Sequence, residues 1–514
     1  MTKDTIKKHL FFLFWIGIIL IPVIEIYRSF FGHSLQIFGI AVEEALLIVF
    51  WMGLFAAGLV VAFREKRYRS LIFALGVTAV FFLYLILHGW NSARFDAALF
   101  PSAEPSFFKE SYYLIRMYFV PLSLILSAVL ISIPRERVFS ALKVAGIIIS
   151  LAVVIPCLFG FSFASYADGN VRVNGGFFSW FFLEGNAPFA LYTAKGVFSD
   201  ANAVGAILFG IFPFAAIGAL KKPTFQNLAT VFLMGFAAVA VGTKIASLGF
   251  FLSSAALIFV AILGTALNKE GRKDALRSLL AFALTVLFMV PVFYFSPGKH
   301  LQDQRKWEEE TADRTAEDLD EIENLIDELA KSEKLSENEV LLLEEYVNEH
   351  YWDHFIDPWF LDLYPVKTDP QFWLQAVARE NHSNADSRVF KLEMVNRVMA
   401  RNLNPLDPIL GIGHTAGTPY AEKDFLGQLP IFGIAGICVL IAPYIALFVY
   451  GASIYMKDLL QKKNRFAAAV ATLSVSSFLV AAYFAGHVFD TLFTTYFLAA
   501  GGAAILSLRC KNDR

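Results

Sequence analysis

Apolar runs of about 20 residues, the length that crosses a bilayer as a helix, separated by shorter polar connectors, fill most of this chain. Twelve runs are legible, at 9–27, 36–63, 70–88, 113–133, 140–163, 203–220, 228–242, 245–267, 279–296, 427–455, 466–487 and 491–508. A helix satisfies all its backbone polar groups internally, which is what hydrocarbon demands. The seventh run is short and pairs with the eighth across Gly242-Thr-Lys244. The alternation breaks once on a large scale, from Ser296 to Asp424, where the chain is polar. The predicted fold is an all-α polytopic membrane protein of about twelve transmembrane helices, with one large helical loop between spans nine and ten. Three parts follow: spans one to nine over 1–296, the loop over 297–426, and spans ten to twelve over 427–514.

Lysine and arginine mark which connectors stay in the cytoplasm. They cluster at Lys3, Lys7 and Lys8, at Arg64 to Arg69, at Arg135 and Arg137, at Lys221 and Lys222, from Lys269 to Arg277, from Lys457 to Arg465, and from Arg509 to Arg514. These are the even-numbered gaps and both ends, so both termini are expected in the cytoplasm and the large loop outside. The basic start, Met1 to His9, runs into apolar sequence without a small-residue cleavage site and reads as a retained first span.

Composition sharpens this picture. Hydrophobic residues make up 57% and charged residues 17% of the 514. Mean hydropathy is +0.57. Soluble domains carry about 25% charge. No basic face exists outside the short connectors, which argues against a nucleic-acid partner. Cys157 and Cys438 lie in apolar runs, Cys510 in the tail and none in the loop, so neither a disulfide framework nor a thiolate metal site is implied.

The loop has two halves. Residues 303–356 are rich in Glu, Asp and Leu, and Ser336-Glu-Asn-Glu339 before Val-Leu-Leu-Leu reads as a capping box opening one of two or three acidic amphipathic helices. Residues 357–413 are mixed and end in Pro408-Ile-Leu-Gly-Ile-Gly-His414. Glu422 and Asp424 follow, at the boundary with the tenth span, where a partly desolvated carboxylate suits a general base. Candidate cations are Lys244 at the turn between spans seven and eight, Arg388 on a helix running to Arg401, and Arg116 at the opening of span four. Asn202 stands at the opening of span six, with Ser199 or Asp200 as its N-cap. Glu43 and Glu44 lie inside the second span. His350 and His354 share a helix face but lack the intervening glutamate of a zinc-protease motif. The first outside loop, Arg28 to Gln36, holds no carboxylate for a metal. Trp180, Trp307, Trp352, Trp359 and Trp373 fall in outside segments and suit sugar stacking, an interfacial belt or small cores.

Four of these segments together resemble the O-antigen ligase and O-antigen polymerase superfamily of bacterial envelope proteins. Gly196-Val-Phe-Ser-Asp-Ala-Asn202 resembles its G-x-F-x-x-x-N start of a span, and Gly242-Thr-Lys244 its Gly-Ser-Arg turn. Ser387-Arg388 followed by Pro408-Ile-Leu-Gly-Ile-Gly413, and Glu422-Lys-Asp-Phe-Leu426 ahead of Gly433-Ile-Ala-Gly436, complete the set, which covers about residues 100–445. Lys244 replaces the family arginine, and Glu422 stands where the ligases have histidine, which is more similar to polymerase-type members. The resemblance implies a GT-C-like, metal-independent glycosyltransferase without a cofactor, in the bacterial cytoplasmic membrane. Its partners are an undecaprenyl-pyrophosphate-linked oligosaccharide, the bilayer and a protein that sets chain length. Lys244, Arg388, Arg116 and Asn202 bind the pyrophosphate and substrate, and Glu422, with Asp424 second, takes the proton of the attacking sugar hydroxyl. Two other classes compete: a transporter or lipid flippase gated through Glu43 and Glu44, although the two halves show no repeat, and an accessory envelope protein whose acidic loop docks a partner.

Overall fold

The structure is a computed structural model that describes residues 3–31, 36–37, 40–166, 176–182, 189–267, 272–312, 335–351, 356, 358–378, 386–461 and 466–508. The expected acidic helices over 313–334, Trp352 and His354 lie outside these residues, as do the side chains of Trp307 and His350.

Among the described residues ten helices are long and apolar enough to cross a membrane, and two shorter apolar ones, Phe225–Val241 and Leu492–Ser507, accompany them. They fall in the order read from hydropathy, and the protein is an all-α, multi-pass membrane protein. Several spans begin some residues from where they were expected, among them the ninth at Arg272, and two of these shifts move candidate residues. The second helix is Val42–Arg64, because residues before it form a two-residue ladder of Gln36–Ile37 with Ile40–Ala41. Glu43 and Glu44 lie inside this span, in its first turn, where the helix dipole favours carboxylates. The fourth span runs Phe107–Ile131, so Arg116 lies within it and not at its opening. Phe107 and Phe108 supply apolar sequence ahead of the polar Lys109 and Glu110, which had masked the early start.

The chain forms two compact units: residues 1–80, 115–302 and 441–514, and residues 81–114 with 303–440. In the first, the Ala201–Lys221 helix is apolar on every side, and nearly all of it is buried, as expected of a central helix. Phe225–Val241, Lys244–Leu267 and Phe466–Phe484 pack against it. Small residues allow the approach: a Cβ on Gly210 would stand 2.2 Å from the Phe478 ring. Arg272–Tyr294 is the opposite case, burying Ser278, Phe282 and Met289 along one stripe.

The second unit has its own apolar core. Tyr364, Phe372, Trp373, Phe390, Val395 and Val398 of the loop close over Phe95 and Phe100. Ser336 and Glu339 form the expected capping box at the start of Glu337–His350. Asp369 caps Pro370–Val377 and binds Arg397 of the Asp386–Arg401 helix at 2.8 Å and Arg401 at 3.2 Å. Burial alone would raise this carboxyl, but hydrogen bonds from Arg397 and the Phe372 amide and the two guanidinium charges hold it below its usual range.

Candidate functional site

The loop segment that ends in Gly411-Ile-Gly413 is built against a broken helix. Asp424–Gly436 is helical on both sides of Gly433, whose φ of 66° and ψ of 177° interrupt it. The break exposes carbonyls that a continuous helix would use. Ile412 N–H donates to Pro430 O at 3.0 Å, and Gly413 N–H to Ile431 O at 2.9 Å. Side chains are excluded on both faces of this contact. A Cβ on Gly411 would stand 2.1 Å from Ile431 O, and one on Gly433 2.3 Å from Ile409 O. Gly411 and Gly413 also have φ of 85° and 90°, a region L side chains avoid. The glycines of the motif thus meet a backbone demand and touch no substrate by themselves.

Polar groups from residues 81–114 fasten the same segment. Glu110 is fully buried, and its two oxygens accept His414 N–H at 3.0 Å and Thr415 N–H at 2.9 Å, with His88 Nε2 2.9 Å from Oε1. The other ring nitrogen of His88 meets Leu410 O at 2.5 Å. Asn91 donates to Gly411 O at 2.8 Å and to Asp407 at 2.9 Å, and Asn402 donates to Asp407 at 2.7 Å. Burial raises the Asp407 carboxyl from its usual range against the pull of these amides. Tyr84 O–H closes the set on Phe432 O at 2.8 Å. Sequence reasoning missed His88, Asn91, Glu110 and Asp407. For His88, Asn91 and Glu110 the signal was present as polar residues at the ends of apolar runs, where an unpartnered group would be costly; Asp407 lies in the polar loop and carried no such signal.

The fastened segment leads to Glu422. Its Oε2 accepts Arg388 Nε–H at 3.0 Å, and its Oε1 accepts Lys391 Nζ–H at 2.8 Å. The two cations are three residues apart on the Asp386–Arg401 helix, so they share a face. Glu422 and Arg388, 34 positions apart, are brought together, and Lys391 was not expected. All three are partly open to solvent. Lys391 Nζ also stands 5.5 Å above the ring of the exposed Trp359. Asp424 differs from Glu422. It is fully buried, and Tyr420 O–H donates to it at 2.6 Å while Gln428 donates to the Tyr420 oxygen. This chain of bonds orders the helix start.

The remaining candidates belong to the first unit. Arg116 sits in a single π-turn, Ile115–Phe119, and its Nη1 donates to both Glu44 oxygens, at 2.8 and 2.9 Å. Lys244 is exposed at the first turn of its helix, after Gly242 with φ of 75°. Asp200 is the N-cap of Ala201–Lys221, accepting the Asn202 and Ala203 amides, and Asn202 is half-buried beside it. His487 is a further finding. Its φ is 60°, and its Nδ1 lies 3.0 Å from Asp490 and 3.8 Å from Asp200. Thr494 and Thr495 hydroxyls hold the carbonyls of His487 and Val488. The last two apolar runs meet almost without a connector, so this turn leaves little trace in hydropathy.

The profile of the family described as O-antigen ligase like membrane protein matches residues 4–509. The chain belongs to that family. No curated protein and no solved structure matches it. Membership puts this O-antigen ligase-like protein among glycan-transferring membrane enzymes of surface-polysaccharide biosynthesis, with a lipid-linked glycan as substrate. The glycine parts of the third and fourth sequence signals of this O-antigen ligase-like protein, Gly411-Ile-Gly413 and Gly433-Ile-Ala-Gly436, form one packing contact. The Arg388 signal and the Glu422 signal form one ion cluster.

Proposed function

We propose that this protein polymerises or transfers undecaprenyl-pyrophosphate-linked glycan units at the outer face of the cytoplasmic membrane, with both termini in the cytoplasm and no catalytic metal. An acceptor hydroxyl attacks the anomeric carbon of the donor. The bond from that carbon to the pyrophosphate oxygen breaks, and the lipid pyrophosphate leaves with the electron pair. Glu422 takes the hydroxyl proton. Arg388 and Lys391 serve as the fixed charges that disperse the developing anion, since preorganised cations cost no reorganisation as the bond breaks. Lys244, with Arg116 and Asn202, is proposed to bind substrate phosphate and sugar, Arg116 exchanging its Glu44 partner for a phosphate oxygen.

One observation carries this reading: a half-open carboxylate held between two cations, following a segment whose Gly411 to Thr415 backbone is hydrogen-bonded from several sides. A base must be held at bonding distance from the proton it takes, and rigid mounting supplies that. Glu422→Gln keeps the shape and one oxygen to accept from a cation, but its amide nitrogen is a donor, so the second cation contact and the proton acceptor are both lost. Glycan transfer is expected to fall by about 10²–10⁴-fold, with lipid-linked single units accumulating, while the purified protein keeps its thermal stability. Chains of normal length in cells carrying only this variant would remove Glu422 from the mechanism.

A further inference from the structure

We infer that Trp359 is the stacking platform for the acceptor sugar, so that the glycan-binding subsite of this protein is the indole beside Glu422. The inference rests on the reading of Glu422 as the base, because the sugar nearest a base that deprotonates the acceptor is the acceptor's.

The aromatic rings of the loop that surround it are placed as a core. Phe360, Tyr364, Phe372, Trp373 and Phe390 are buried, and Trp373 Nε1–H is satisfied by Tyr364 O at 2.9 Å. Trp359 is the exception in this group, 39% exposed although it adjoins Phe360, which is 1% exposed. It is rigidly mounted. Pro358 precedes it at the cap of Trp359–Leu363, and one side of the indole stacks on the Phe360 ring with centroids 4.1 Å apart and planes 27° apart. Phe360 is in turn locked edge-on against Phe390, at 4.9 Å, on the helix that carries Arg388 and Lys391. A large exposed apolar surface on a rigid mount, with charged groups at its rim, suits a ligand that is apolar on one face and rich in hydroxyls at its edge. A pyranose ring has that character: axial C–H bonds meet the aromatic face, and equatorial hydroxyls reach charged acceptors and donors.

Those groups are in place. The Lys391 ammonium is shared between the indole, 5.5 Å from the ring centroid, and Glu422, at 2.8 Å. One side chain therefore links the platform to the proposed base. A sugar on the exposed part of the indole lies beside the Lys391 ammonium, which carries the contact on to Glu422. An exposed tryptophan near a span also suits a lipid-anchoring belt, and the experiment separates the two roles.

The probe is the repeat-unit oligosaccharide released by mild acid from the producing cells' own lipid-linked pool, titrated into the full-length protein in detergent, without a bilayer. Binding is read by calorimetry, and transfer kinetics are read separately. Trp359→Ala is expected to weaken oligosaccharide binding about tenfold, the size of a lost stacking contact, and to raise the acceptor KM with kcat and the donor KM little changed. Trp359→Phe should recover most of the affinity, and Trp359→Leu should not, although both fill the space. Equal binding by wild type and Trp359→Ala overturns the proposal, as does equal affinity of the Phe and Leu variants, which would leave an anchoring or packing role. The two readings fail separately. Glu422→Gln abolishes turnover but binds the oligosaccharide if both hold. Full turnover in Glu422→Gln removes the base and with it the assignment to the acceptor. Lost turnover with Trp359-independent binding removes the platform alone.

Discussion

A single added methyl distinguishes residues of the motif that shape backbone from those that merely occupy a helix. Gly413 has φ of 90°, and a Cβ there would stand 2.4 Å from Ser92 Cβ and 3.0 Å from Glu110 Oε2. Gly413→Ala must strain that backbone, by about 1–3 kcal/mol, and push the His414 and Thr415 amides off Glu110. Gly53 is the comparison: it lies inside Val42–Arg64 with nothing within 4 Å of its would-be Cβ. Gly53→Ala is expected to be neutral or stabilising by up to about 1 kcal/mol. Thermal unfolding in detergent should show a lowered midpoint for Gly413→Ala and none for Gly53→Ala. An unchanged Gly413→Ala midpoint would mean the segment is not fixed as described. The residue scale is also where the sequence was least readable. Glu422 and Asp424 look alike on paper, two carboxylates at one junction. Only the fold separates them, one between cations at a half-open surface and the other sealed against Tyr420.

At the scale of elements, the helix Asp386–Arg401 serves two ends. Its first turns carry Arg388 and Lys391 to Glu422, and its last turns carry Arg397 and Arg401 to Asp369. Tyr364 joins the second cluster. Its hydroxyl is pushed up to about 12 by burial and by the Asp369 charge, against the pull of Arg401, and stays a neutral donor at physiological pH. The Asp369 carboxyl is held below its ordinary value of 3.8 in the fold. A depressed carboxyl contributes stability that is fully present above its unfolded value and is lost as pH falls through the folded one. Unfolding midpoints measured from neutral pH down through the acid range should therefore drop more steeply for the wild type than for Asp369→Asn, which lacks the titrating group. Asp369→Asn should also be less stable at neutral pH, by about 1–3 kcal/mol, for the lost charged hydrogen bonds. Parallel acid profiles would show that Asp369 is not the anchor of this helix. The capping box at Ser336 was readable in advance, and the cap of the sixth span was narrowed to Ser199 or Asp200, because caps are local in sequence; the fold uses Asp200. The break at Gly433 was not readable in advance, because what it serves, Ile412 and Gly413, lies about twenty residues upstream.

For the whole molecule, the basic connectors set an orientation that is directly testable. With Cys157, Cys438 and Cys510 replaced, Lys367→Cys on the loop should react in intact cells with a membrane-impermeant maleimide. Lys66→Cys, in the connector after Val42–Arg64, should react only after permeabilisation. Both positions are exposed, so accessibility is decided by side and not by burial. Labelling of both in intact cells, or of Lys66→Cys alone, would reverse the topology and remove the outer-face transfer reaction with it.

The sequence by itself determined the number and order of the apolar helices and the existence of one long polar interruption. It also marked the glycine and carboxylate positions that single out the family. These are properties of composition within a window of about 20 residues, and hydrocarbon accepts few alternatives to a helix there. Only the tertiary structure decided which residues act together. Glu422 finds Arg388 and Lys391 across more than thirty positions, Glu110 finds the His414 and Thr415 amides across about three hundred, and the glycines meet across a helix break. The physical reason is that a buried charge or an opened carbonyl must be satisfied by whatever the packing brings near, and packing is a property of the whole chain.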